Sequence, residues 1–283
     1  MATKKSASPR KFVISPTKLR IYLACHAKYR LEYVDKLGRF FHRARAGYAF
    51  GHSLHRTLDA FHQGGGAEAV TAEDLSAALD QLWVAKGYED EAQAKTYREE
   101  GLRILQEYHA AASAAKADAP PDAPPPPRLL FTEKTLRMDL SEAIALSGRV
   151  DRVDEHHDGA LEIVDYKSGR SEVIQDDVRD SLALSIYQLL LKHKHPDRRV
   201  FATLHALRTG AQASYELSDD ERTELQAACL ETGEEIRQRE WETVVPVVND
   251  HCPYCDFLPH CTKFWRREAR REGGPPPDIT RGV

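Results

Sequence analysis

Residues 146–170, LSGRVDRVDEHHDGALEIVDYKSGR, read as two β-strands joined by a tight turn. The first carries Leu146, Gly148, Val150, Asp151 and Val153. The second carries Leu161, Ile163, Val164, Asp165, Tyr166 and Lys167, and Ser168-Gly169 closes it. Strands this apolar belong in a sheet core, where charges need a reason. The turn decides whether those charges meet, because a one-residue slip sends a strand's side chains to the opposite face. A two-residue loop at Asp158-Gly159 sets Asp151 across from Tyr166 and separates the aspartates. A three-residue loop, His157-Asp158-Gly159 with Gly159 left-handed in a G1 bulge, pairs His156 with Ala160 and Asp151 with Asp165. The three-residue loop is the expectation.

Directly opposed strand residues have Cβ atoms roughly 4.5–5.5 Å apart, and like charges so placed destabilise a sheet. A divalent cation removes that penalty, and hard oxygen ligands suit Mg²⁺ or Mn²⁺. Lys167, two residues beyond Asp165, shares its face. Two carboxylates able to bridge a metal, with an ammonium beside them, suit phosphodiester hydrolysis. The same residues also suit a plain Asp–Lys ion pair on a solvated sheet face.

Gly148-Arg149-Val150-Asp151-Arg152, followed by Glu162-Ile163-Val164-Asp165-Tyr166-Lys167-Ser168-Gly169, resembles the paired core motif of the PD-(D/E)XK nuclease superfamily, in its RecB-like branch. The resemblance implies a metal-dependent DNA nuclease, an exonuclease acting on single strands or DNA ends in repair, recombination or defence. It implies Asp151 and Asp165 as metal ligands, Lys167 as the residue positioning water, a contribution from the Tyr166 carbonyl, and Arg152 as a substrate contact. Glu133 matches an acidic position that precedes GxxDR in relatives, and Gly51-x-x-x-His55 matches a glycine-to-histidine helix whose histidine joins the metal site. His52 is the weaker alternative to His55. Relatives carry a glutamine four residues before a tyrosine; here Tyr187 is present, as a substrate contact or for packing alone, but Ala183 stands in the glutamine's place. That departure keeps a second reading open, a non-catalytic DNA-binding subunit of a helicase or integrase complex.

The 283 residues are long enough for a sizeable core, and 41% hydrophobic with 30% charged residues is ordinary for a globular chain. No apolar run approaches bilayer length, and MATKKSASPRK at residues 1–11 lacks the apolar segment of a signal peptide, so a cytoplasmic protein without a membrane partner is expected. A net charge of −4 does not announce a nucleic-acid partner, so any DNA surface must be a local patch.

Outward from the hairpin, Leu129 to Leu140 reads as a strand, and six prolines among residues 120–127 mark a loop before it. Upstream, Ser15-Pro16 reads as a helix start, with Leu19, Tyr22, Leu23, His26, Tyr29 and Tyr33 at helical spacing. Thr71 with Asp74 reads as a capping box, and a further helix runs from about Glu89 through Tyr108. Lys36 to Tyr48 interleaves basic and aromatic residues in a way that suits nucleic acid or an ordinary amphipathic segment. Downstream, Leu182, Ile186, Leu189 and Leu190 give a helix face, Val200 to Leu207 and Ala213 to Leu217 two strands, and Ser218 with Glu221 caps a helix reaching about Glu240.

Five cysteines are present. Cys229 falls on a helix's apolar side and is assigned to packing. Cys252, Cys255 and Cys261 form CxxC-x5-C, three thiolates that leave a fourth position to Cys25, or to His251 or His260 in a zinc site. One N-terminal cysteine with a C-terminal CxxC-x5-C resembles the iron–sulfur nucleases of the AddB type and those associated with CRISPR adaptation. That resemblance implies a structural [4Fe–4S] cluster on Cys25, Cys252, Cys255 and Cys261. Lys263, Arg266, Arg267, Arg270 and Arg271 around Trp265 suit a phosphate backbone or a solvated helix end.

The expected architecture is α/β, a mixed central sheet flanked by helices like a restriction-endonuclease core. A flexible start at 1–14 precedes one domain at 15–267: helical at 15–117, a proline-rich loop at 118–127, the catalytic core at 128–240 and a cluster-binding segment at 241–267. A flexible tail at 268–283 follows.

Overall fold

The computed structural model describes residues 10–117, 120, 122–169 and 172–277. In chain order, β1 (Phe12–Ile14), α1 (Pro16–Ala24), α2 (His26–Tyr29) and α3 (Gly38–Phe41) precede three longer helices, α4 (Ala46–Gln63), α5 (Ala72–Leu82) and α6 (Glu91–Ala117). Then come β2 (Arg128–Asp139), β3 (Ile144–Glu155), β4 (Leu161–Lys167), α7 (Gln175–Arg179) and α8 (Leu182–Lys194). The chain continues through β5 (Val200–Ala206), β6 (Gln212–Tyr215), α9 (Asp219–Gln238) and α10 (Leu258–Glu272). It sorts into two compact units: Met1–Arg43 with Ser141–Ile144 and Cys229–Val283, and Ala44–Leu140 with Ala145–Ala228.

The fold is the expected α/β one, a six-stranded mixed sheet flanked by helices, in the order β1-β3-β4-β5-β6 with β2 on β3. The larger unit holds β2 to β6. β2, β3 and β4 are antiparallel neighbours, and β5 runs parallel to β4. A parallel pair needs a crossover, and α7 and α8 supply it. Gln188 of α8 is fully buried and accepts the Leu217 N–H at 3.0 Å. Phe50, Leu54, Leu58 and Phe61 recur at helical spacing on α4 and pack with Leu75, Leu79, Ile104 and Leu105 against Val164, Tyr166 and Leu207. Each such side chain contributes roughly 1.5–3 kcal/mol by burial, so α4 is held along its length. The Thr71–Asp74 capping box starts α5, and α6 absorbs the alanine-rich segment as far as Ala117, alanine being the best helix former.

In the smaller unit Ser15 caps α1, its hydroxyl accepting the Lys18 N–H at 3.3 Å. The single long helix suggested by the spacing of 19–33 is broken at Cys25, whose backbone is extended (φ −166°, ψ 111°). Leu19, Tyr22 and Tyr29 are therefore buried, while Leu23 turns outward. Tyr29 stacks on Trp241, and the Tyr22 hydroxyl donates to Glu235 at 2.6 Å. Gly233 of α9 lets that helix close on Ile14 and Ile144; an added Cβ would stand 3.3 and 3.1 Å from their methyls. Cys229 is buried, its thiol pushed up to about 11 by that burial, as packing requires.

Both ends expected to be flexible carry structure where they are described. Phe12 N bonds Ala143 O at 2.8 Å, Ile14 is fully buried, and α10 continues to Glu272 with Ala269 buried. Three residues of strand are too few for a periodic signal, which is why β1 escaped the sequence pattern. Residues 1–9 and 278–283, and Arg170 of the hairpin stretch, lie outside the described residues.

Candidate active site

The β3–β4 turn takes the three-residue form. His156 N bonds Ala160 O at 2.9 Å, and Gly159 is left-handed at φ +84°. The ladder runs from Glu155↔Leu161 to Arg152↔Val164, a register that continues to Asp151 opposite Asp165. There the strands part: instead of a backbone partner, the Tyr166 N–H donates to Asp151 Oδ2 at 3.1 Å. On the other side of β3, Glu133 falls between the pairs Thr132↔Arg152 and Lys134↔Val150, across from Asp151. Three neighbouring strands thus set Glu133, Asp151 and Asp165 in one row. Glu133 has φ +48°, a conformation a non-glycine side chain adopts only when its surroundings impose it.

His55 of α4 closes the row. Its Nδ1 lies 3.3 Å from Asp151 Oδ2, and its Nε2–H donates to the Tyr166 carbonyl at 3.0 Å. Gly51, one turn earlier, permits the approach, since a Cβ there would sit 2.9 Å from the Ser168 hydroxyl at the end of β4. Lys167 Nζ pairs with Asp165 Oδ2 at 2.5 Å, and Arg149 Nε with Glu133 Oε2 at 2.6 Å. Glu133, Asp151, His55, Tyr166, Lys167 and Arg149 floor a cleft of about 910 Å³ whose walls add Arg45, Tyr48, His52 and Arg56. Tyr48 is 75% exposed, so its ring is available to a flat partner.

The electrostatics show crowding of negative charge. Burial and then the Asp151 charge raise the Glu133 carboxyl above its usual range. Burial raises Asp165 too, with Lys167 opposing and Asp151 adding to the rise. For His55 burial works against the charged form, but the hydrogen bond and charge of Asp151, with Asp165 and Glu133 behind it, prevail and raise it. Lys167 and Arg149 offset this crowding only in part, since both carboxyls stay raised, and the set carries hard oxygen and imidazole donors, which fits a divalent cation. His55, Glu133 and Asp151 each offer an atom within 4.8 Å of the others'.

Tyr187 stands near the row, where burial and the charges of Asp165, Asp151 and Glu133 raise its phenol. Its ring occupies the space beside Gly148, where a Cβ would come within 2.8 Å of it, so the glycine of GxxDR serves packing.

Arg152 departs from its expected place as a substrate contact. Adjacent strand residues point to opposite faces, so with Asp151 in the row its neighbour turns away. The Arg152 guanidinium is buried against Tyr108, Tyr166, His62 and Asp154 on the far side of β3. His62 and Tyr108 carry no signal in the sequence, because nothing local distinguishes them from ordinary helix residues. Arg149 was legible as the exposed neighbour in the same motif, and Tyr48 as the end of the basic aromatic stretch.

The four cysteines expected to share a cofactor all lie in the smaller unit. Cys25 Sγ caps α2, accepting the Lys28 N–H at 3.4 Å, and Cys252 Sγ accepts the Asn249 N–H at 3.3 Å. Asn249 in turn donates to Ala24 O at 3.2 Å, tying the two segments. Cys261 is pushed up to about 12 by burial and then by the charges of Cys255, Cys25 and Cys252.

The model of the PD-(D/E)XK nuclease superfamily matches residues 13–262. Among solved structures the chain is similar to a protein named SSO0001, at 15% identity and TM-score 0.37, over 90% of this chain and 88% of that one. It is also similar to a presumed exonuclease from Eubacterium rectale, at 10% identity and TM-score 0.47, over 88% and 87%. No curated protein matches.

Proposed function

The chain belongs to the PD-(D/E)XK nuclease superfamily, and from that premise we propose that it is a RecB-like deoxyribonuclease, an exonuclease on single strands or DNA ends in repair, recombination or defence. One observation carries the reading: Glu133, Asp151 and Asp165 in a row across three strands, with Lys167 and His55 closing on it. Glu133, Asp151, Asp165 and His55, with the Tyr166 carbonyl, would hold Mg²⁺ or Mn²⁺, which when bound polarises the scissile phosphate and acidifies water. Lys167, held by Asp165, orients the attacking water and offsets charge developing on phosphate. Arg45, Arg56 and Arg149 supply cations to the strand's backbone, and Tyr48 a face on which an unpaired base stacks. The resemblance offers a helicase or integrase as companion. Among the described residues no helix is long and apolar enough to cross a membrane.

The test is cleavage of end-labelled single-stranded and duplex DNA by anaerobically purified protein with Mn²⁺, Mg²⁺ or EDTA. Cleavage that needs the divalent ion and leaves a ladder from one end is the expected result, the ladder giving the polarity. Binding without cleavage would instead mark the chain as the binding subunit that Ala183 leaves open.

For the smaller unit the proposal is a structural [4Fe–4S] cluster on Cys25, Cys252, Cys255 and Cys261. A tetrahedral zinc site with Zn–S near 2.3 Å brings its thiolates within roughly 3.8 Å of one another. Among the described residues no three cysteines come within 4.8 Å of one another. Cys261→Ser is expected to reduce bound iron and sulfide to background and to lower the melting temperature by about 5–15 °C. Elemental analysis showing zinc in place of iron would replace the cluster with a zinc site.

A further inference from the structure

A guanidinium beside a nuclease's central aspartate invites a role at phosphate, yet Arg152 is turned from the cleft and 15% exposed. Its Nη1 lies 2.7 Å from the Tyr166 hydroxyl, 2.9 Å from the Tyr108 hydroxyl and 2.8 Å from His62 Nε2. The three acceptors also lie close together: Tyr166 is 3.1 Å from Tyr108 and 3.0 Å from His62, and His62 is 2.9 Å from Tyr108. The second arm, Nη2, pairs with Asp154 Oδ2 at 2.7 Å, two residues along the same strand face. Such an investment in a buried cation needs an outcome, since burying a charge is costly even when it is paired.

The outcome is visible at Tyr166. Its side chain ends in this polar knot, while its peptide joins two side chains of the candidate metal site: the N–H donates to Asp151 and the carbonyl accepts from His55. Arg152 itself is the residue after Asp151, and Tyr166 the residue after Asp165. The β3–β4 ladder ends at Arg152↔Val164, one residue short of the two aspartates. One guanidinium therefore ties the neighbour of each aspartate to the other on the reverse side of the strands.

We propose that Arg152 is a positioning residue, a staple on the back of the hairpin that sets the Asp151–Asp165 separation and the Tyr166 peptide for metal binding without touching substrate. The proposal rests on the nuclease reading of the row. Lysine cannot replace it: an ammonium is a point charge, whereas the planar fork reaches Asp154 with one arm and the three-membered knot with the other. Tyr108 and His62, from α6 and α4, act with it by fixing where the Tyr166 phenol ends.

The experiment measures Mn²⁺ binding by calorimetry on the full chain without DNA, for wild type, Arg152→Met, Arg152→Lys and Tyr166→Phe. Partners that orient metal ligands typically account for 10–100-fold in affinity. Arg152→Met and Arg152→Lys are expected to weaken Mn²⁺ by about tenfold or more. Tyr166→Phe, which removes one hydroxyl and leaves the backbone, should weaken it in the same direction by less. Affinity for labelled single-stranded DNA in Ca²⁺, read by anisotropy, should stay within about twofold of wild type. Should Arg152→Met fail to fold, the other two variants carry the test. Unchanged Mn²⁺ affinity with a lowered melting temperature would make Arg152 a structural residue only. Unchanged Mn²⁺ affinity with weakened DNA binding would return it to substrate contact, and either result overturns the proposal. Wild type that binds no Mn²⁺ would remove the metal site itself, and the staple with it.

Discussion

Lys167→Ala is expected to slow DNA cleavage by about 10³-fold, the upper range for losing one preorganised charge-stabilising group. Its ammonium lies 2.5 Å from Asp165 Oδ2 and lines the cleft, so it is held where charge develops on a phosphate. Alanine removes the group proposed to orient water while leaving Glu133 paired with Arg149, Asp151 bonded to the Tyr166 N–H and His55 bonded to the Tyr166 carbonyl. Binding of single-stranded DNA in Ca²⁺ should change little, because Arg45, Arg56 and Arg149 still line the cleft. Single-turnover cleavage at saturating Mn²⁺, set beside DNA anisotropy, separates the two effects. A rate within tenfold of wild type would take Lys167 out of the chemistry and leave it a simple counter-ion of Asp165.

Asp151→Asn should have the second large effect, and in two directions. Asp151 stands between the other two carboxylates of the row and meets His55 and the Tyr166 N–H. Asparagine keeps an oxygen for that N–H but removes the central charge, relieving a repulsion that helps raise both Glu133 and Asp165. The melting temperature without metal should therefore hold or rise. Mn²⁺ at a hundred times its dissociation constant should stabilise wild type by about 2.7 kcal/mol. The variant should show none of this and cleave at least about 10³-fold more slowly. Thermal melts with and without Mn²⁺ read both. A variant that retains the full Mn²⁺ shift would place the cation elsewhere.

What the sequence determined by itself was local. The G1-bulge loop ending at Gly159, and with it the register that sets Asp151 opposite Asp165, follows from a few consecutive residues, because backbone handedness and two-residue alternation act over that distance. The caps at Ser15, Thr71–Asp74 and Ser218–Glu221 are legible for the same reason: each is a side chain meeting a backbone amide three residues away. The paired motif pointed to the candidate metal-site residues, and the CxxC-x5-C spacing to the thiols. Where the chain had to be brought together from afar, the pattern was silent or misleading. Arg152 sits beside Asp151 in sequence, yet its partners His62 and Tyr108 come from two distant helices, and only packing decides that it faces them. Leu23 looks like core until the backbone turns at Cys25, a turn that places that sulfur as a helix cap. The positive φ of Glu133 belongs to no propensity at all, and it persists only because neighbouring strands and Arg149 hold the carboxylate in its row. Turns, caps and registers are settled by short-range sterics and hydrogen bonds that the residues carry with them. The direction of a buried charge and the strain at a ligand depend on long-range contacts, which exist only once the sheet and helices have closed around them.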